Sequence, residues 1–261
     1  MPFHLHPEVN LLMAVAIQLP LCLIAWKLKY LTRGGMIAGL AACLMVVLAF
    51  GWPGYGLLLV YAMTAFASTS LSVYVLNKKG KAVDEGKLKP RTFGHVFVRT
   101  LPPVFAALIV VLSTEPTTRL LGLIACLAAL ASALGDIVST ELGQAYGRRT
   151  YKLITLERVK SGTRGGVSME GSILGGIAVL VFAIASMLAF SYSSVSFHYI
   201  ELGVKEVLII TMAALIANHV ESTLGGIFTQ FQRKPSKLLL GFLGTSLGAL
   251  LAVFFTNLPE G

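Results

Sequence analysis

Four carboxylates lie where apolar segments of this sequence give way to polar ones, and they are the side chains best suited to chemistry. Asp136 and Glu141 follow a long apolar run, Glu170 precedes the next run, and Glu221 lies near the end of a third. A charge within or at the end of an apolar span is costly to bury in lipid, so such a residue is by default a functional candidate. The four acids predict a site that three helices assemble at one depth.

A Gly- and hydroxyl-rich segment lies between two of these acids. Residues Ser161–Ser168 read Ser-Gly-Thr-Arg-Gly-Gly-Val-Ser, follow Lys160, include Arg164 and lead into a helix. Glycines let backbone N–H groups approach a phosphate, and the helix N-terminus and the two cations add positive charge. The chain has no Walker motif. By pattern alone, a flexible loop that ends in a helix cap at Ser168, with Glu170 nearby, is the commoner structure, and phosphate binding is the functional alternative.

Acids beside a phosphate-binding loop suggest Mg²⁺, a hard cation that takes one or two carboxylates plus substrate oxygens. Asn218 and His219 lie within a turn of Glu221. One alternative is that either residue positions a phosphate or a metal ligand. The other is that the two form a hydrogen-bonded pair in the core. The segments Ser139–Gly143 and Ser222–Gly225 form a weak internal repeat. Repeats of this kind often flank the site in membrane folds, although so short a match also arises by chance.

The elements that must position these residues are membrane helices. The chain of 261 residues is 56% hydrophobic and 13% charged, far below the roughly 25% charged residues of soluble domains. A crossing needs about 20 apolar residues. The sequence therefore predicts an all-α, polytopic integral membrane bundle, a single transmembrane domain over residues 1–261. Eight apolar runs qualify or nearly do: Asn10–Trp26, Gly34–Phe50, Tyr55–Leu76, Val96–Leu112, Thr118–Leu134, Ser172–Phe190, Val204–Gly226 and Leu238–Thr256.

The distribution of cationic residues fits eight spans. Nineteen of the 21 Lys and Arg fall in four loops that eight spans place on one side: Lys27–Arg33, Asn77–Arg99, the central loop 135–171 and Gln230–Lys237. The positive-inside rule makes that side cytoplasmic and puts both termini outside. The rule also explains the net charge of +9 without nucleic acid. It accounts for the loop Lys78–Arg99 as well, for which contact with a headgroup or nucleotide is the functional alternative.

The motifs resemble those of an integral membrane family that includes the phytyl-phosphate kinase of the vitamin E pathway in plants and cyanobacteria. The resemblance begins at Leu31–Gly35, is most specific at Gly135–Gly143 and continues through Val159–Gly171. The family usually has Asp where this chain has Glu221, which keeps the charge. It often has an Asn-Gly pair where this chain has Arg99-Thr100, and that difference weakens a role for the loop.

The resemblance implies a kinase that uses a nucleoside triphosphate, CTP in particular, and Mg²⁺ to convert a prenyl monophosphate (phytyl, farnesyl or geranylgeranyl) into the diphosphate. On this reading Asp136, Glu141 and Glu221 are catalytic acids and metal ligands, and Glu170 is a further catalytic acid. The residues expected to hold nucleotide or lipid phosphates are Lys160, Gly162, Thr163, Arg164, Gly165, Gly166, Ser168, Ser139, Asn218 and Ser222.

Two other functions use the same features. A more distant resemblance to CDP-lipid synthases suggests a CTP-dependent cytidylyltransferase that releases diphosphate. The repeat and the polar residues in helices suggest a membrane transporter, although transport sites usually lie at the bilayer midplane. The expected partners are a prenyl phosphate, a nucleoside triphosphate and membrane lipids, with an oligomer also compatible. The expected location is a bacterial inner membrane, a thylakoid membrane or a chloroplast envelope, with the site on the cytoplasmic or stromal side.

Overall fold

The fold is a bundle of long helices with one small sheet. The structure is a computed structural model that describes residues 7–83, 85–163, 165–191, 202–230 and 236–258. The prediction of an all-α polytopic membrane bundle is confirmed. The elements in chain order are α1 (Pro7–Lys27), α2 (Arg33–Lys78), α3 (Glu85–Leu88), α4 (Phe93–Leu112), α5 (Pro116–Tyr146), β1 (Thr150–Lys152), β2 (Arg158–Val159), β3 (Gly166–Ser168), α6 (Met169–Ser191), α7 (Val204–Gln230) and α8 (Lys237–Thr256).

Helix α2 makes two membrane crossings rather than one. Seven helices in the described ranges are long and apolar enough to cross a membrane, and α2 is 46 residues long. Gly51 interrupts it with φ 61° and ψ −151°, a conformation that essentially only Gly adopts. The two halves pack closely at this point, since a Cβ on Gly54 would lie 3.1 Å from Val46 Cγ1. Tyr30, which precedes α2, reaches the carbonyl of Ala65 in its second half at 3.5 Å. Counting two crossings in α2, the described part of the chain makes eight.

Helix α5 is the centre of the bundle. Of the 18 most apolar consecutive residues of α5, 89% are buried, the largest buried share among the seven candidate membrane helices of the described ranges. Its Ala- and Leu-rich sequence lets neighbouring helices approach closely on several sides. The helix continues to Tyr146, twelve residues past the predicted end of the span at Leu134. The predicted central loop 135–171 therefore begins too early, because its first twelve residues are helical and carry Asp136 and Glu141 on a rigid element.

The remainder of the central loop forms a three-stranded antiparallel sheet with the order β2-β1-β3. Thr150 pairs with Val159 on one side and with Ser168 on the other. The sheet ends where α6 begins, so it fixes the Gly-rich segment between the ends of α5 and α6.

The basic loops meet at one end of the bundle. The segment before α2 joins the segment before α4 through a parallel bridge between Leu31 and Arg91. Lys79 Nζ donates to the carbonyl of Ala145 near the end of α5 at 2.7 Å. This arrangement agrees with the predicted grouping of basic loops on one side of the membrane, and the compartment that they face remains a prediction.

Small residues allow α5 and α6 to pack closely. A Cβ on Gly175 would lie 2.8 Å from Ser139 Cβ and 2.9 Å from the carbonyl oxygen of Gly135. One on Gly171 would lie 2.9 Å from Gly143 Cα. Close approach of small residues at four-residue spacing is typical of helix contacts in membranes. The face that carries Gly135, Ser139 and Gly143 is thus packed directly against α6.

Two adjacent glycines of α6 should respond in opposite ways to the same substitution. We expect Gly175→Ala to lower the free energy of unfolding by about 2 kcal/mol, because the added methyl group overpacks the α5–α6 contact. Gly176→Ala should instead raise it by up to about 1 kcal/mol, because Ala is the better helix former and its Cβ meets only Leu215 Cδ2 at 3.7 Å. Unfolding of the detergent-solubilised variants measures both values. Equal effects would contradict the packing described here.

Candidate functional site

A cavity of about 410 Å³ lies at the end of the bundle that carries the basic loops. Helices α4 to α8, the sheet and the segment before α4 all contribute to its wall. Among the predicted site residues, the following line it: Asp136, Ser139, Glu141, Gly162, Thr163, Gly165, Gly166, Ser168, Asn218, Glu221 and Ser222. Residues that are more than 80 positions apart in the sequence therefore share one cavity.

Asp136 pairs with a cation from the neighbouring helix. Arg99 of α4 donates from Nη2 to Asp136 Oδ2 at 2.7 Å, and about a fifth of each side chain is exposed. The other carboxylate oxygen accepts only a long hydrogen bond, 3.4 Å, from Thr140. The Arg99 guanidinium lies near Gly241 of α8, where an added Cβ would be 3.5 Å away. Asp136 is thus held in a fixed place while one of its oxygens faces the cavity with spare capacity to accept.

Glu221 completes a group of two acids and one cation. Its carboxylate lies against Gly244 of α8, where any side chain would collide with it. It is close enough to Asp136 and Arg99 for their charges to interact. If both acids are ionised, the single guanidinium of Arg99 leaves one of the two negative charges uncompensated. A bound cation would compensate that charge.

Glu141 is engaged elsewhere. Its Oε2 lies 2.5 Å from Lys87 Nζ, and the two side chains are 12% and 7% exposed. Lys87 belongs to α3, in the connection between α2 and α4, and also donates to Ser72 Oγ at 3.0 Å. The connection between α2 and α4 therefore contacts α5 and forms one side of the cavity wall.

The three predicted metal ligands are not brought together as one set. Within the part of the chain that the structure describes, no three His, Cys, Asp or Glu side chains are arranged to hold a metal ion. Glu141 pairs with Lys87 and Asp136 pairs with Arg99, whereas the Glu221 carboxylate lies against Gly244. Two carboxylates plus substrate oxygens still match the usual coordination of Mg²⁺. The donor chemistry of Asp136 and Glu221 therefore fits this ion without Glu141.

The Gly-rich segment docks on α7. Gly165 has φ +71°, and any side chain there would collide with the backbone of Gly226. Thr163 Oγ1 donates to the carbonyl of Lys160 at 2.6 Å, which closes a tight turn. The Lys160 side chain is exposed and lies outside the cavity wall. Arg164 lies outside the described residues.

The helix-cap reading of this segment is also correct. Ser168 Oγ accepts a hydrogen bond from Gly171 N at 3.2 Å at the start of α6. Glu170 accepts from the backbone N–H of Arg148 at 3.2 Å and does not line the cavity. The structure thus gives Glu170 a role in fastening the end of α5 to α6, apart from the other three acids.

Asn218 and His219 do not form the hydrogen-bonded core pair that was one of the two alternatives from the sequence. Asn218 Oδ1 accepts from Ser132 Oγ at 3.2 Å, and its side chain occupies the space that Gly135 leaves open. His219 Nδ1 lies 2.8 Å from the carbonyl of Leu215 on its own helix. Both residues line the cavity.

None of the Lys and Arg residues in the described cavity wall was predicted as a site residue from the sequence. Four of them belong to the loop Lys78–Arg99 and Lys237 to the loop Gln230–Lys237, and the positive-inside rule explained the charge of both loops. One signal was available, because Arg99 lies inside an apolar helix, where a charge is by default functional. Arg91 shows a related anchoring role, since it donates to Thr69 Oγ1 at 3.1 Å and lies over the Tyr30 ring. The Lys and Arg that line the cavity in the described part of the chain are Lys87, Lys89, Arg91, Arg99 and Lys237.

Comparison with known proteins identifies relatives over most of the chain. The model of a family described as "Integral membrane protein DUF92" matches residues 16–239. Uncharacterized membrane protein sll0875 of Synechocystis is 28% identical over 225 residues, 86% of this chain and 82% of the relative. Protein VTE6, chloroplastic, of Arabidopsis thaliana is 26% identical over 231 residues, 85% of this chain and 66% of the relative.

A third relative is archaeal. Uncharacterized membrane protein MJ0933 of Methanocaldococcus jannaschii is 23% identical over 177 residues, 67% of this chain and 66% of the relative. The chain thus spans just under two thirds of the Arabidopsis and archaeal proteins. No solved structure matches the chain.

Proposed function

The chain belongs to the integral membrane protein family DUF92, and from this membership we propose that it is a prenyl-phosphate kinase. It transfers the γ-phosphoryl group of a nucleoside triphosphate, CTP in particular, to a prenyl monophosphate and yields the prenyl diphosphate. The motifs at Gly135–Gly143 and Val159–Gly171 support the proposal, because they resemble those of the family that includes phytyl-phosphate kinase. The similarity to the Arabidopsis chloroplastic protein is consistent with it.

The observation that carries the proposal is the composition of the cavity. Five Lys and Arg, three acids and a Gly-rich turn line the same space at one end of a membrane bundle. A transferring phosphoryl group needs mainly positioning and charge stabilisation, for which such groups are suited. A soluble nucleotide reaches this end from water and a lipid phosphate reaches it from the bilayer. A transporter would more commonly place its acids at the midplane.

In this reaction the protein positions and neutralises and supplies no nucleophile. An oxygen of the lipid phosphate attacks the γ-phosphorus, the bond between that phosphorus and the β–γ bridging oxygen breaks, and CDP leaves with the bridging oxygen. Lys89, Arg91 and Lys237 line the cavity and would balance the negative charge of the two substrates. The backbone N–H groups of Gly162 and Gly165, which line the cavity, would supply donors for phosphate oxygens.

Asp136 and Glu221 are the residues that would hold Mg²⁺. When bound, the ion would neutralise phosphate charge and orient the nucleotide. Arg99 fixes the position of Asp136, and its positive charge offsets the repulsion between the two carboxylates. The site lies on the cytoplasmic or stromal side of a bacterial inner membrane, a thylakoid membrane or a chloroplast envelope, as the positive-inside rule predicts for the end with the basic loops.

An activity assay tests the proposal directly. Purified protein in detergent, given CTP, Mg²⁺ and phytyl or farnesyl phosphate, should produce the prenyl diphosphate and CDP. A panel of nucleoside triphosphates and prenyl phosphates would identify the preferred pair. Formation of a CDP-lipid with release of diphosphate would instead support a cytidylyltransferase. The absence of turnover with every pair would contradict both enzymes.

A further inference from the structure

The cavity has an apolar side between α6 and α7 that faces the bilayer. Gly175 and Gly176 of α6 and Leu215 of α7 line it there. On the outer surface next to this wall, Ile177 is 54% exposed and Met212 is 53% exposed. Exposed Ile and Met side chains on a membrane helix are in contact with lipid tails. Gly176 and Leu215 thus line the cavity on the same part of α6 and α7 that exposes Ile177 and Met212 on the outer surface.

Charged groups or backbone atoms occupy three other helix contacts around the cavity. Between α4 and α8 the Arg99 guanidinium occupies the space beside Gly241. Between α7 and α8 the Glu221 carboxylate fills the space beside Gly244. Between α5 and α6 the approach at Gly175 leaves no room even for a methyl group. Charged side chains or backbone thus close these contacts.

The contact at Gly176 is apolar, and it lies deeper along its helix than the apolar contact of Gly94 with Leu238, which involves the first turns of α4 and α8. A Cβ there would have ordinary van der Waals contact with Leu215 Cδ2, at 3.7 Å, and with no other nearby helix. Gly176 is seven residues into α6, so it lies about 10 Å along the helix from the end that carries the site. Gly175 beside it touches Ser139, whose hydroxyl donates to the carbonyl of Asp136 at 3.1 Å. A chain that passes Gly176 would therefore begin next to the acids and end in the bilayer.

We propose that the α6–α7 contact at Gly176 and Leu215 is a lateral portal that holds the hydrocarbon chain of the prenyl phosphate. The phosphate lies among the cations of the cavity, and the chain leaves between the two helices into the membrane. Charge complementarity selects the occupant, because a lipid with one anionic head and one apolar tail matches a cationic cavity with an apolar side. The proposal rests on the proposed function, since that function supplies the prenyl monophosphate.

Photolabelling tests the portal without turnover. A farnesyl phosphate with a diazirine on its terminal isoprene unit is bound to the full-length protein in detergent, irradiated, and the labelled peptides are mapped by mass spectrometry. We expect label on α6 and α7 around Gly176 and Leu215, competed by unlabelled farnesyl phosphate. Label on α4 and α8, or on the two halves of α2, would overturn the portal.

Gly176→Leu should fill the portal. Labelling should fall about tenfold, and the KM for farnesyl phosphate should rise about tenfold while that for the nucleotide stays the same. Gly176→Ala should give a smaller change of the same sign and remains informative if the Leu variant misfolds. Gly39→Leu is the matched control, because Gly39 lies in α2 with open space around it and outside the cavity wall. Unchanged labelling in both Gly176 variants would overturn the proposal.

The two proposals can fail separately. Label on α6 and α7 without turnover for any nucleotide would retain the portal and contradict the kinase. Turnover with label on other helices would retain the kinase and contradict the portal.

Discussion

Replacing Asp136 with Asn should abolish turnover, with kcat at least about 100-fold lower, because the substitution keeps the shape of the side chain and removes its charge. The introduced amide would still accept a hydrogen bond from Arg99, and Glu221 would remain as a counter-charge for that guanidinium. We therefore expect the variant to fold. Formation of prenyl diphosphate measures the loss, and size-exclusion chromatography and thermal unfolding in detergent check the fold.

The matched control is Glu157→Gln. Glu157 is an exposed acid of the same polar region, accepts a hydrogen bond from Thr155 and lies outside the cavity wall. This variant should keep nearly normal activity. If Asp136→Asn also kept nearly normal activity, the site would be wrongly assigned.

Replacing Arg99 with Met should destabilise the protein by about 3 kcal/mol, because it leaves Asp136 and Glu221 without a cation in a largely buried place. Removing Arg99 and removing the charge of Asp136 should have different effects on stability, and this difference is informative. Removing the charge of Asp136 leaves one acid with one cation, whereas removing Arg99 leaves two acids with none. The free energy of unfolding by SDS in mixed micelles measures each effect.

A double-mutant cycle separates this charge effect from lost packing. Asp136→Asn should restore part of the stability that Arg99→Met removes, so the two changes should not add. Arg158→Met, in the exposed strand β2, is the control and should change stability by less than about 0.5 kcal/mol. Additive effects of Arg99→Met and Asp136→Asn would mean that the ion pair contributes little.

Most of the fold follows from the hydrophobic pattern of the sequence. The apolar runs predict the long helices, and the break between the runs Gly34–Phe50 and Tyr55–Leu76 predicts the division of α2 into two spans. The pattern places the end of α5 too early, because hydropathy falls after Leu134 although the helix continues beyond the apolar core. The strands β1 to β3 are two or three residues long, and their pairing depends on the ends of α5 and α6 that hold them.

The site is predictable in its acids and less so in their partners. Asp136 and Glu221 stand out because carboxylates are rare in apolar helices. Lys87 does not stand out in the same way, because a basic loop on the inner side of a membrane protein needs no further explanation. Arg99 was counted with that loop although it lies within an apolar helix. Only the packing of α3 and α4 against α5 shows that these two cations hold Glu141 and Asp136. Membership of the integral membrane family is confirmed, and the catalytic roles of these residues remain predictions.

The short connection between α4 and α5 has a consequence for biosynthesis. Residues 113–115 alone separate the two helices, and three extended residues span about 10 Å, far less than the roughly 30 Å of hydrocarbon. The two helices must therefore enter the bilayer together as one hairpin. That hairpin carries Arg99 on one arm and Asp136 on the other, so each charge meets its partner during insertion. An unpaired charge within a membrane helix opposes its insertion. The ion pair between Arg99 and Asp136 thus favours insertion of both helices into the membrane during synthesis, before any substrate binds.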